Sequence, residues 1–295
     1  YRQSLNPRMS IEPRRRFLKR LRNFAAVPVL TGASVGYGNT VERHRLTLER
    51  HDVALALGPK APAKFRAVAL TDFHFDPLYE DDYVRQYISA ANALKPDIVF
   101  LTGDYITRRV DRMDDLAVML SRLEQKAGIF ACTGNHDHWE DPMHVVGCLR
   151  KQGIEVLFNQ HTRVSCAGGE LVIAGLASAC DSLPNWPEAA KGLKADDRTI
   201  TLMHEPDYAN RLSNLDAKRI ALQISGHTHG GQICFPGFGA LHLPKFGRNY
   251  EAGFYDVNGI KLYVGRGVGT TNINVRLFCP PEVTCFDITN TSVMG

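Results

Sequence analysis

The sequence predicts an α/β domain, on two observations. From about Arg45 onward, short apolar runs alternate with patterns of helical period, the arrangement that lays helices over a largely parallel sheet. Five of the apolar runs end in Asp, Asn or His, and in open α/β sheets the carboxyl edge of the strands is where ligand crevices form. A chain of 295 residues with 44% hydrophobic content is long enough for one large domain.

The elements run in order along the chain. Residues 67–70 read as a strand, and 81–94 as a helix with Tyr83, Tyr87, Ile88, Ala91 and Leu94 on one side. Residues 98–101 form a second strand. A helix over 111–123 has Asp111 as its N-cap, and 129–132 form a third strand. Asp141-Pro142 opens a further helix, with Pro at its tolerated first position. Residues 171–174, 199–203, 221–224, 261–264 and 283–288 are strands. This second half is poorer in helix, which predicts mixed or antiparallel sheets there.

Charge divides the chain in two. Residues 1–25 hold eight basic side chains and one acid, a net +7, so subtracting from the whole-chain +4 leaves the body at −3. A slightly acidic body argues against a broad nucleic-acid footprint, and no nucleic acid is expected as a partner. The segment Pro13-Arg14-Arg15-Arg16-Phe17-Leu18-Lys19 precedes an uncharged, mostly apolar stretch over 24–37. A basic segment followed by a short apolar one is the layout of an export signal. Its R-R-x-F-L-K arrangement resembles the twin-arginine (Tat) address. Residues 1–40 are therefore a leader and 41–295 the folded domain. The resemblance implies recognition by the Tat machinery and export to the periplasm or cell envelope. A basic amphipathic helix on the cytoplasmic membrane surface is the alternative. The seven cysteines contain no C-x-x-C pair, which disfavours thiolate zinc sites, and most read as buried core thiols.

The residues just past the apolar runs carry the chemistry. Leu70 leads to Asp72 and His74, Leu101 to Asp104, and Cys132 to Asn135, His136 and Asp137. Met203 leads to His204, and Ile224 to His227 and His229. Side chains at i and i+2 of an extended segment point the same way, so 72/74 and 227/229 can each converge on one point. Carboxylate, amide and imidazole donors suit Mn, Fe, Zn or Mg. Seven such donors are too many for one tetrahedral ion and fit two divalent ions sharing a carboxylate.

In order and interval, Asp72-x-His74, Gly103-Asp104, Gly134-Asn135-His136-Asp137, His204 and Gly226-His227-Thr228-His229 resemble the motifs of the calcineurin-like metallophosphoesterases. The resemblance covers about residues 65–290. Gly230-Gly231-Gln232 and the run from Arg276 to Glu282 look like the YaeI/YkuE-type branch. The resemblance implies a four-layer sandwich, two facing mixed sheets flanked by helices. It assigns Asp72, His74 and His229 to one ion, Asn135, His204 and His227 to the other, and Asp104 to both. His136 would face substrate, with Asp137 orienting it. Two divalent ions against two carboxylates leave a net +2, which favours a bridging hydroxide and a neighbouring phosphate oxyanion. Outside the motifs, Arg266 and Arg248 are expected to contact substrate, and His138, Trp139 and His144 to lie on the pocket rim or the surface.

The function expected is therefore hydrolysis of a phosphoester, in the first instance a phosphodiester, in a lipid- or nucleotide-linked substrate. One rival is hydrolysis of the pyrophosphate of UDP-2,3-diacylglucosamine at the membrane surface. Another is a metal-binding scaffold without catalysis, disfavoured because every ligand position is filled. A nuclease is disfavoured by the body charge.

Overall fold

The structure, a computed structural model, describes residues 32–75, 81–108, 110–180 and 184–293. The twin-arginine-like segment and most of the apolar stretch behind it lie outside the described residues. Residues 32–40 are helical (α1), and their end is tied to the body. Arg276 N–H donates to the Gly38 carbonyl at 3.1 Å, and Asn39 Nδ2 to that of Asn274 at 2.6 Å. Among the described residues no helix is long and apolar enough to cross a membrane.

Two six-stranded sheets face one another. The first contains β1 (Thr47–Leu55), β2 (Lys64–Leu70), β3 (Ile98–Leu101), β4 (Ile129–Ala131) and β5 (Glu155–Val156), in the order β1-β14-β2-β3-β4-β5. The second contains β6 (Gln160–Cys166), β7 (Gly169–Gly175), β8 (Thr199–Leu202) and β9 (Ile220–Ser225). A short β10 (Cys234–Phe235) and β11 (Gly239–Ala240) form a separate hairpin. The second sheet is completed by β12 (Gly253–Val257) and β13 (Ile260–Val264), in the order β12-β13-β9-β8-β7-β6. The last strand, β14 (Glu282–Asn290), returns to the first sheet. There it runs antiparallel to β2 and parallel to β1. Both sheets are mixed, and each has a parallel centre.

The helices are α2 (Asp81–Ala93), α3 (Met113–Leu120), α4 (Asn135–Glu140), α5 (Pro142–Lys151), α6 (Trp186–Ala189) and α7 (Asn214–Ala217). Three clusters of buried side chains mark the four layers. Val84, Tyr87, Leu116 and Leu149 seat α2, α3 and α5 on the outer face of the first sheet. Phe100, Phe130, Ile173, Ile200 and Phe286 fill the space between sheets. Trp186, Met203 and Ala217 join α6 and α7 to the outer face of the second sheet. The sequence Ile98-Val99-Phe100-Leu101 is buried at every position, as expected of a parallel strand covered on both faces. Truncating Phe100 at such a site costs about 3–5 kcal/mol.

Local expectations met a few corrections. Asp111 is not the cap of α3. The first free N–H, that of Met113, is taken by the Val110 carbonyl at 2.9 Å, so a backbone turn does the work of a side chain. Asp141 does cap α5, accepting from His144 N–H at 3.0 Å with Pro142 in the first turn. The motif over 135–140 begins a short helix rather than a loop. Strands β1 and β6 escaped the sequence because few of their side chains are fully buried, two in β1 and one in β6.

Candidate metal centre

Six strands stop at one rim. The register aligns Leu70 with Leu101 and Leu101 with Ala131 in the first sheet. In the second it aligns Leu202 with Ile224 and Ser225 with Val264. The loops beyond these strand ends carry Asp72, His74, Asp104, Asn135, His204, His227 and His229, every one of them buried. Three overlapping triads of donor atoms result: Asp72 with His74 and His229, Asp104 with His204 and His227, and His74 with Asp104 and His136. His74 Nε2 lies 2.9 Å from His229 Nε2, which is 3.5 Å from Asp72 Oδ1. Asp104 Oδ2 lies 3.5 Å from His74 Nε2 and 3.1 Å from His204 Nε2. One carboxylate oxygen thus reaches both His74 and His204.

The i/i+2 pairs converge for a different reason from the one the sequence suggested. They are not extended: φ is +54° at Asp72, +46° at His74, +72° at His227 and +52° at His229, with Asp104 at +54°. Left-handed backbone at a residue with a Cβ costs about 1–3 kcal/mol and persists only where its surroundings hold it. Here they do. Asp72 N–H donates to the Gly103 carbonyl and His74 N–H to that of Asp104, each at 3.0 Å. His227 N–H donates to the Asp72 carboxylate at 3.0 Å. Two glycines leave the carboxylates room, since a Cβ at Gly134 would stand 2.2 Å from Asp104 Oδ1 and one at Gly226 2.2 Å from Asp72 Oδ2.

The imidazoles are oriented from behind. His204 Nδ1–H donates to the Thr102 carbonyl at 2.6 Å, which leaves Nε2 facing the centre. His227 Nε2–H donates to the Lys245 carbonyl at 2.7 Å, which leaves Nδ1. Ligand histidines are typically held in this way by the other ring nitrogen. Asn135 Oδ1 and His204 Nε2 are buried without an aligned hydrogen bond, and buried polar atoms are rarely left so. Two buried atoms without aligned partners, beside two carboxylates, fit a cation.

Electrostatics agree. Burial pushes the Asp72 carboxyl up to about 6, against the pull of His204. Burial pushes Asp104 up too, but the charge of His204, whose Nε2 lies 3.1 Å away, outweighs it and holds Asp104 well below the carboxylate range. Burial alone would lower His204, and the Asp104 carboxylate overcomes it and raises the imidazole well above its usual value. Without a cation a proton on His204 Nε2 balances these acids, and a bound metal ion would take that proton's place.

His136 sits at the edge of these groups. Its Nδ1 donates to the Thr107 carbonyl at 2.8 Å, so Nε2 is the atom left for a ligand in the adjoining cavity of about 570 Å³. Asp137 does not orient this ring through a hydrogen bond of its own. Its carboxylate accepts backbone N–H groups of Asp104, Tyr105 and Gly134, at 3.0, 2.9 and 2.8 Å, and so pins the loops that carry Asp104 and Asn135. Trp139 lines the cavity as expected.

The two arginines expected at substrate do not line this cavity. Arg266 Nη2 pairs with Glu49 at 2.6 Å and Glu282 at 3.0 Å, because a half-buried guanidinium needs a carboxylate and two lie at hand. The backbone N–H of Arg248 is bound to Asp207, and neither arginine lines the cavity. Lys245 and His242 line it instead; neither stands in a motif, and only the placement of Lys245 in the aromatic segment after His229 hinted at its position. The buried Arg276 was seen as part of a motif but not as a support. Its guanidinium donates to the carbonyls of Arg266, Gly267, Gly269 and Cys279, behind Asp72 and His229.

Comparison with known proteins adds family context. A sequence model of the calcineurin-like phosphoesterases matches residues 65–231. The chain is 31% identical over 284 residues to the metallophosphoesterase YkuE of Bacillus subtilis, covering 95% of this chain and 98% of that protein. It is 30% identical over 279 residues to the phosphodiesterase YaeI of Escherichia coli, covering 93% and 98%. Among solved structures, TT1561 of Thermus thermophilus superposes with a TM-score of 0.47 at 14% identity, over 70% of this chain and 90% of that one.

Proposed function

The chain belongs to the calcineurin-like phosphoesterase family, and from that premise we propose that it hydrolyses phosphodiester bonds at a centre of two divalent metal ions. In this reading Asp72, His74 and His229 hold one ion. Asn135, His204 and His227 hold the other, and Asp104 serves both. Such ions act as Lewis acids that activate water and offset the charge of the phosphate. The observation that carries the reading is the pair of buried atoms without aligned partners, Asn135 Oδ1 and His204 Nε2, beside a carboxylate within reach of both His74 and His204.

The chain's own residues supply the rest. The Thr102 and Lys245 carbonyls keep His204 and His227 in the tautomers that present a lone pair. His136, fixed through Nδ1, delivers a proton from Nε2 to the leaving oxygen, a general-acid role. Lys245, on the cavity wall, attracts the anionic substrate. The native metal is Mn, Fe, Zn or Mg, all suited to these donors. A generic aryl phosphodiester tests the activity. Turnover with added Mn²⁺ and its loss with a chelator are expected; no turnover with any of the four metals would refute the reading.

The cavity wall favours a second reading of the substrate. Trp139, Ile233, Leu241, Pro244 and Ile273 contribute apolar surface beside the metal ligands, which suits a lipid-linked phosphoester met at a membrane surface. A panel of phospholipids and nucleotide sugars discriminates between the two. For the leader, export by the Tat route remains our proposal, tested by fusing residues 1–40 to a Tat reporter. Failure to export would favour the membrane-surface reading.

A further inference from the structure

A second group of metal-binding side chains lies on the far side of the first sheet from the sheet interface. Asp114 from α3 and His144 and Cys148 from α5 place a carboxylate oxygen, an imidazole nitrogen and a sulfur all within 4.8 Å of one another. We propose that these three residues form a separate site for a zinc-like divalent cation, which ties α3 to α5. His144 and Cys148 are four residues apart on one helix, the spacing that brings side chains together on a single face. Cys148 Sγ lies 3.4 Å from His144 Nε2. A tetrahedral ion with Zn–S of about 2.3 Å and Zn–N of about 2.0 Å holds the same two atoms about 3.6 Å apart. The helix already presents two ligands near the edge length of that tetrahedron. Asp114 is exposed, and its long pairing with Lys151 Nζ at 3.9 Å leaves the carboxylate room to turn and close the remaining gap, with water completing the shell.

The donor set differs in kind from the main centre, since it contains sulfur. Thiolate, imidazole and carboxylate together suit zinc or cobalt better than magnesium or calcium. Burial, followed by the neighbouring Asp114 carboxylate, pushes the thiol up to about 11, so without an ion it carries its proton. Binding is then an exchange: the cation takes the sulfur lone pair, the S–H proton passes to solvent, and thiolate plus carboxylate neutralise the divalent charge. The ion would stabilise the pair of helices that covers the first sheet, with α4 and its Asn135 and His136 just before α5 in the chain. It takes no part in hydrolysis.

Sulfur also makes the test specific. Full-length protein stripped of metal is titrated with Co²⁺ alone, and the near-ultraviolet thiolate-to-cobalt charge-transfer band is followed. The oxygen and nitrogen ligands of the main centre give no such band. The band is expected in the unaltered chain and in Cys180→Ser, which changes the cysteine lining the main cavity. It should vanish in Cys148→Ser. His144→Ala, a change on the half-exposed helix surface that keeps the thiol, should weaken Co²⁺ binding at this site at least tenfold. Aryl phosphodiester hydrolysis should stay within about twofold in both variants, so failure here and failure of the proposed hydrolysis are separate results. No band at saturating Co²⁺, or a band that survives in Cys148→Ser, overturns the proposal.

Discussion

Asp104 and His136 make opposite predictions at the scale of one side chain. Asp104 Oδ2 is the atom that reaches His74 and His204 together. Asp104→Asn should therefore lose metal from both positions, read by elemental analysis, and turnover with it; full activity would refute the shared role. His136 is held through its Nδ1 on the Thr107 carbonyl and its backbone N–H on Asp104 Oδ1. His136→Gln should keep its metal content and lose about a hundredfold in rate or more, as expected of a general acid. The loss should be larger for substrates with poor leaving groups, and equal losses for good and poor leaving groups would remove the acid role. Arg266 gives the contrary lesson. Arg266 is expected at substrate from the sequence, but Glu49 of β1 and Glu282 of β14 pair with it instead. No local feature of the sequence announces that pairing.

At the scale of elements, the loops do more than the strands. Strand ends bring five loops to one rim, and left-handed residues within those loops turn the donors inward. The loop after β3 and the start of α4 are in contact. Gly134 approaches Asp104 so closely that a Cβ would stand 2.2 Å from Oδ1 and 2.6 Å from the backbone nitrogen. The backbone at Gly134 has φ −104°, which any residue can adopt, so the constraint there is space rather than conformation. Gly134→Ala should weaken metal binding by about 10- to 100-fold, the range seen when a supporting contact is lost, with the far-ultraviolet circular dichroism unchanged. Undiminished affinity, measured by competition with a chelating dye, would show that the loop yields. The failure of Asp111 as a cap belongs to this scale too. Capping residues compete with backbone turns, and Val110 supplied the turn.

Across the whole molecule, distant segments of the chain share the task of support. Residues 42–44 lie near α2, where His44 stacks on Tyr83 with ring centroids 3.6 Å apart and accepts from Arg43 Nε at 2.7 Å. Burial, then the Arg43 charge, lowers His44 from 6.5 to about 4. Between those values the unfolded chain binds the proton and the folded one does not, so stability present above pH 6.5 is lost as pH falls through 4. The melting temperature should fall over that window, and His44→Gln should reduce the fall; an unchanged slope in the variant would place the acid sensitivity elsewhere.

The order of motifs along the chain and the periodicity of apolar runs were enough to read an α/β fold, its central strands and the seven Asp, Asn and His side chains that the fold buries at one rim. Those features are local: a buried parallel strand is apolar throughout, and divalent metal ions favour side chains such as Asp, Asn and His. Tertiary structure alone decided how the donors converge, because φ at Asp72 or His227 is held by hydrogen bonds to chain segments far away in sequence. It also decided that Arg266 serves an ion pair while Lys245 lines the cavity, and that Asp114 meets His144 and Cys148. Such meetings depend on which helix packs beside which, and the intervening residues carry no mark of it.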